Sequence, residues 1–178
     1  LTGPFLRPLV TGALFGADLS VKMLERAATL TVEGEQRRVY DALLSKDLVA
    51  LNAVDLVPDA GGGAGGGAGG GGSGVELIVA ADVLVYFGDL LDLLASFAAL
   101  AQSATAAIIF SCERAAPTDA PQGWRILPSG RFAHTKEYVV TTAAAFGFEP
   151  VGYQEIVPRY EGPTPVDGHL FIFTRSGH

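Results

Sequence analysis

The sequence predicts an α/β domain built on a mostly parallel sheet whose last strand runs antiparallel. Three observations predict it. Apolar runs that end in an aspartate recur along the chain, as "ALFGADLS" with Asp18, "DALLSKDLVAL" with Asp47 and "ELIVAADVLVY" with Asp82, and each reads as a buried strand with its carboxylate where the chain leaves the core. Helical patterns alternate with them, which is the mark of repeated βα units. The closing segments "EPVGYQEIVPRYE" and "GHLFIFTR" stand too close for a parallel crossover, which needs roughly a dozen residues, and so pair antiparallel.

The elements follow in order. After the first strand, "SVKMLERAATL" reads as a helix capped by Ser20, with Val21, Leu24 and Ala28 on one face. The run through Asp82 leads into "GDLLDLLASFAALAQ", where Leu90, Leu93, Leu94, Phe97 and Leu100 form a broad apolar stripe. Both helices are expected to pack on the sheet. "TAAIIFSCE" reads as a buried strand without charge until Glu113. "TKEYVVTTAAAFGF" reads as a helix capped by Thr135 and stopped at Gly147, and turn material from Gly162 to Gly168 separates the two closing strands. The stretch "AGGGAGGGAGGGGSG", residues 60–74, has too much backbone entropy and too little to bury for a packed element, and is expected as a flexible insertion at a surface turn. Phosphate-cradling loops are short and open a helix, whereas this stretch is long and precedes a strand.

Composition narrows the class. A chain of 178 residues suits a single domain, 1–178. Twelve basic against 19 acidic residues give a net charge of −7, which disfavours nucleic acid as a partner. Cys112 is the only cysteine, so no intrachain disulfide or cysteine metal cluster forms, and a reducing, cytoplasmic setting is expected, with an organelle left open. Inside its apolar strand Cys112 reads as packing rather than as a nucleophile. The three histidines lack metal-ligand spacing, so no metal site is expected. No apolar run is long enough for a bilayer, and none is expected as a partner. The first residues, "LTGPFLRPLV", lack the order of a signal peptide and read as a cut inside a longer protein.

In open parallel sheets ligands bind outside the carboxyl ends of the strands, where Asp18, Asp47 and Asp82 all fall. A carboxylate offers two acceptor oxygens, which suits Asp18 to the two hydroxyls of a ribose. Asp47 suits an exocyclic adenine amine, and Asp82 the reacting end of a bound cofactor. The other reading of each is a cap or turn former.

In their order, "GADLSVKML", "SKDLVAL", "LIVAADVLVYFGDL" and "WRILPSGRFAHTKEYV" resemble successive motifs of the class I S-adenosylmethionine-dependent methyltransferases, especially the small-molecule group also found joined to tetratricopeptide repeats. The resemblance spans nearly the whole chain outside the glycine stretch. It implies a Rossmann-like fold, S-adenosylmethionine as cofactor and a small-molecule methyl acceptor. It further implies that Asp18 binds the ribose, Leu19 and Met23 line the adenosine pocket, Asp47 and Leu48 meet the adenine, and Ala81 and Asp82 face the methionine end. An upstream repeat domain is part of the same expectation. The family's acidic-x-Gly-x-Gly loop is absent and "LTGPFLRPLV" resembles the helix after it, so the family's first strand, central in its sheet, is expected to be missing from this chain.

Methyl transfer is an in-line displacement, so the protein chiefly aligns the acceptor and removes its proton where needed. Tyr86 is a candidate wall of the acceptor pocket, with packing on the next helix as the alternative. His134 is a candidate general base, with a solvent-exposed position at the helix start as the alternative. Arg131, Arg159 and His169 are candidates for a cationic pocket that would make the acceptor anionic, with Arg159 pairing to Glu161 as the alternative. Two further readings stand beside the methyltransferase one: a non-catalytic module of the same fold and a nicotinamide-dependent oxidoreductase.

Overall fold

A computed structural model of the chain describes residues 2–56 and 74–176. The chain divides into two compact units, Leu1–Gly72 and Ser73–His178. Apart from Gly74, the glycine-rich stretch at 60–74 lies outside the described residues.

The first unit opens with a short helix, α1 (Gly3–Leu6), which continues into a 3-10 turn at Arg7–Leu9. Arg7 is buried there, and its guanidinium donates to Asp41 Oδ2 (2.7 Å) and to the carbonyls of Val10 and Gly12. Asp41 Oδ2 also accepts from the Leu14 backbone N–H at 2.7 Å, so one ion pair ties α1 to the strand that follows. β1 (Phe15–Asp18) and β2 (Ala42–Ser45) pair in parallel, with Asp18 opposite Ser45. Between them runs α2 (Val21–Ala28), started by Ser20, whose hydroxyl accepts from the Met23 N–H. The expected buried face is displaced: Ala27 is buried and Met23 and Leu24 are half-buried, whereas Val21 and Ala28 are exposed. A helix of eight residues packing on two strands covers only a narrow stripe.

In the second unit the described strands form a six-stranded sheet around β4 (Ala107–Arg114). β3 (Leu77–Ala80) lies parallel to the first half of β4, and β6 (Phe132–His134) lies parallel to its last residues, Glu113 and Arg114. The other edge of β4 carries β8 (Thr164–Arg175) antiparallel, and β7 (Phe148–Glu161) pairs antiparallel beyond it. The expected antiparallel last strand is therefore present. The turn between β7 and β8 is shorter than the sequence suggested, because pairing runs up to Glu161 opposite Thr164. A hairpin that the sequence reading lacks, β5 (Trp124–Ile126) with β6, extends the sheet past the end of β4, and Trp124 packs edge-on against Phe132.

Two helices cover this sheet. α3 (Leu91–Leu100) buries Leu93, Leu94, Phe97 and Leu100 and α4 (Lys136–Ala145) buries Val139 and Ala143. α4 starts at Thr135, whose hydroxyl accepts from Tyr138 N–H, and stops at Gly147, whose φ of 76° an L side chain would resist. The core is aromatic: the Phe110, Phe171 and Phe173 rings lie 5.6–5.7 Å apart.

Two irregularities in β7 matter for the site. Its register slips between Pro150 and Gly152 and again between Ile156 and Arg159. Ile156 faces Gly168 and Arg159 faces Val166, so three steps along β7 match two along β8. Such a bulge reverses the alternation of side chains between sheet faces. Arg159 therefore shares a face with Gly168 and its partner Glu113, while Glu155, His169 and Cys112 lie on the other face. Among the described residues, no helix is long and apolar enough to cross a membrane.

Candidate functional site

In the first unit the two aspartates lie at the carboxyl ends of neighbouring parallel strands, Asp18 as the last residue of β1 and Asp47 two residues beyond β2. Asp18 ends β1, and its Oδ1 accepts from the Ser20 N–H at 2.8 Å. Asp47 caps the 3-10 turn Leu48–Ala50, with Oδ1 accepting from the Val49 N–H at 3.1 Å. Each carboxylate thus uses one oxygen to form the local turn and keeps the other without a hydrogen bond among the described residues. The cap reading and the ligand reading are therefore compatible. Leu19 is 68% exposed, while Met23 and Leu48 are half-buried.

In the second unit β3 stops at Ala80, and Asp82 turns the chain in the left-handed region with φ 56°. That conformation is costly for a residue with a β-carbon, and aspartate tolerates it better than most. The Asp82 N–H donates to Ser111 Oγ at 3.0 Å, which fixes the turn to β4. Arg159 reaches the same place from β7: Nη1 lies 3.5 Å from Asp82 Oδ1, and Nη2 donates to Glu113 (2.5 Å) and to Glu161 (3.0 Å). Glu113 is buried, and it was read from the sequence only as the end of a strand. Ala81 is exposed beside Asp82.

Tyr86 follows on a 3-10 turn, Leu84–Tyr86, and is 67% exposed, so it does not pack on α3. His134 is fully buried, which excludes the exposed position at the helix start. Its Nε2 donates to the Gly88 carbonyl at 3.0 Å, its ring stacks on Tyr138, and Nδ1 is buried without a hydrogen-bond partner. Burial pushes its pKa down to about 4. A ring so enclosed is neutral at physiological pH and has no open side toward an acceptor. The Tyr138 hydroxyl in turn donates to Asp89 and accepts from the Leu90 N–H at 2.8 Å, so the pair holds the start of α3.

The candidate cationic pocket is not assembled, and the other reading, Arg159 paired with Glu161, is the one found. Arg159 is neutralised by three carboxylates, Glu161 among them, on the face of the sheet opposite His169. Arg131 is half-buried at the turn of the β5–β6 hairpin, and its guanidinium has no polar partner among the described residues. Cys112 is buried, and burial, with Glu113 beside it, pushes its thiol up to about 12. No group of three His, Cys, Asp or Glu side chains among the described residues is arranged to hold a metal ion.

Comparison with solved structures gives the fold a name. The chain superposes over 98% of its length on magnesium protoporphyrin IX methyltransferase from Synechocystis PCC 6803 with bound S-adenosylhomocysteine, at a TM-score of 0.65 and 17% identity, covering 68% of that chain. The fold is the class I methyltransferase fold. A S-adenosylmethionine-dependent methyltransferase from Methanosarcina mazei matches with a TM-score of 0.63, 14% identity, and coverage of 93% of this chain and 83% of that one. The N-methyltransferase NodS from Bradyrhizobium japonicum matches with a TM-score of 0.59, 14% identity, and coverage of 99% and 82%. No protein-family model and no curated protein matches the sequence. In the first unit Asp18 and Asp47, and in the second Asp82, each stand at the carboxyl end of a parallel strand, the end at which open α/β sheets bind their ligands.

Proposed function

We propose that the chain is one S-adenosylmethionine-dependent methyltransferase domain acting on a small-molecule acceptor. The observation that supports it is the placement of acidic side chains at the carboxyl ends of parallel strands in a fold whose solved examples include one holding S-adenosylhomocysteine. The cofactor, when bound, supplies an activated methyl group on a sulfonium.

The residues fit that cofactor. Asp18 keeps an oxygen for a ribose hydroxyl, and Leu19 and Met23 offer apolar surface beside it. Asp47 and Leu48 serve the adenine. Ala81 is small and exposed next to Asp82, whose strained turn presents its carboxylate for an ammonium group. Tyr86, with its ring free in solvent, walls the acceptor. His134 acts by holding the Gly88 turn rather than by taking a proton. An anionic acceptor rests on Arg131, whose charge is unpaired. The tetratricopeptide-associated subtype, and an upstream repeat domain with it, rest on the motif resemblance, and a buried free Cys112 suits a reducing, cytoplasmic setting.

Calorimetric titration of S-adenosylhomocysteine into the protein tests the reading. Saturable binding that Asp18→Ala weakens by roughly tenfold or more is expected, because a charge-assisted hydrogen bond is worth about 1.5–3 kcal/mol. A folded protein that takes up no S-adenosylhomocysteine would sink the catalytic reading and favour a non-catalytic module of the same fold.

A further inference from the structure

The α4 side of the second unit's sheet holds an open cavity of about 760 Å³. Its side chains come from the end of β4, the first turn of α4, and the facing parts of β7 and β8. Because Arg114 follows Glu113 on β4 and His169 pairs with Cys112, this cavity lies across the sheet from Asp82, Glu113 and Arg159. It belongs to neither the cofactor reading nor the acceptor reading.

Its floor is a fixed aromatic ring. The Tyr153 hydroxyl bonds His169 Nδ1 at 3.0 Å, and its ring packs against Phe171 with centroids 5.2 Å apart. His169 is 2% exposed, and its Nε2 has no hydrogen-bond partner among the described residues. The outer face of the Tyr153 ring already carries a cation, since Lys136 Nζ sits 3.6 Å from the ring centroid. Lys136 makes no ion pair among the described residues, so this contact is what holds its ammonium.

The charges around the ring favour a cation too. Arg114 is clamped between Glu155 (2.8 Å) and Asp167 (2.9 Å), and its charge is more than matched by theirs. Glu137 lines the cavity without an ion pair among the described residues. Were Lys136 to swing into solvent from its exposed position at the start of α4, the lining would hold one cation against three carboxylates. An anion would then meet repulsion, and a neutral guest would bury carboxylates without matching them.

We propose that this cavity binds an organic cation, an alkylated ammonium that seats on the Tyr153 ring in place of Lys136, with the carboxylates of Glu137, Glu155 and Asp167 around it. An alkylated ammonium holds its water less tightly than a lysine ammonium, and aromatic faces select such cations. The lysine therefore acts as an internal competitor that a better-suited cation displaces.

Choline is the probe, read by calorimetry and by shifts of the aromatic proton resonances, with the uncharged isostere 3,3-dimethyl-1-butanol beside it. Choline is expected to bind and the isostere not to. Tyr153→Leu is expected to weaken choline roughly fivefold or more, Tyr153→Phe to keep binding because the ring remains, and Lys136→Met to tighten it by vacating the ring. Asp18→Ala is expected to leave choline binding unchanged, which separates this site from the cofactor reading. Equal binding of choline and the isostere, no saturation by choline, or a Lys136→Met protein that binds more weakly would each overturn the proposal.

Discussion

Asp82 and Arg159, 77 residues apart in sequence, meet just past the end of β3, with Arg159 Nη1 3.5 Å from Asp82 Oδ1. The same guanidinium is the partner of Glu113, whose side chain is only 3% exposed. Arg159 therefore couples an exposed carboxylate to a buried one, and the two depend on it to different degrees. At Asp82 the contact is long and solvated and contributes little to stability. At Glu113 it compensates a charge that water cannot reach.

Replacing Arg159 by methionine leaves Glu113 buried and unpaired, and urea unfolding should show a loss of about 3–5 kcal/mol. Replacing both, as Arg159→Met with Glu113→Leu, should recover most of that loss, since apolar pairs of similar volume stand in well for buried ion pairs. A double variant no more stable than the single one would show that Glu113 is compensated elsewhere.

The left-handed turn at Asp82 sets stability against binding. Asp82→Gly removes the side chain but relieves the backbone, so its unfolding free energy should stay within about 1 kcal/mol of the parent, while Asp82→Ala loses more because alanine keeps the β-carbon that resists this conformation. Both should lose affinity for S-adenosylhomocysteine. Thermal denaturation alongside calorimetry separates the two effects, and a glycine variant less stable than the alanine one contradicts the account.

Acid should weaken the fold through His134. Its folded pKa, depressed to about 4 by burial, lies below the value of 6.5 it has in an unfolded chain. Above pH 6.5 both states are neutral and the full contribution is present; as pH falls toward 4 the unfolded chain takes up a proton that the folded one refuses. The stabilisation lost over that window is on the order of 3 kcal/mol. His169 is depressed by burial in the same direction. Urea unfolding at pH 7 and pH 5 should show the decline, and His134→Phe should flatten it; a variant with an unchanged pH slope would place the effect elsewhere.

Local chemistry in the sequence revealed much of this fold. Ser20, Thr135 and Gly147 mark helix ends because their roles depend only on neighbours along the chain, and the stripe from Leu90 to Leu100 is buried as its spacing requires. The β5–β6 hairpin was hidden because its three-residue strands carry almost no periodicity and form against the extended end of β4. The grouping of Arg159 with His169 failed for a definite reason. Arg159 stands four residues after Glu155, so plain alternation puts it on the face that Glu155 shares with His169, and the bulge after Ile156 turns it to the other. Neither the general-base reading of His134 nor the solvent-exposed one anticipates its burial, because nothing in "FAHTKEY" shows that Gly88 and Tyr138 close over it.

That bulge also gives β7 a spare residue. Between Ile156 and Arg159 the strand spends one more position than its partner needs, so a chain lacking Val157 or Pro158 would pair without the kink and still bring Arg159 opposite Val166. The slip between Pro150 and Gly152 carries a second spare position, and where β7 pairs without a slip a single deletion would invert every side chain beyond it. Changes of length in this strand are therefore tolerable at its two slips, and at the one before Arg159 they leave the Glu113 partnership intact.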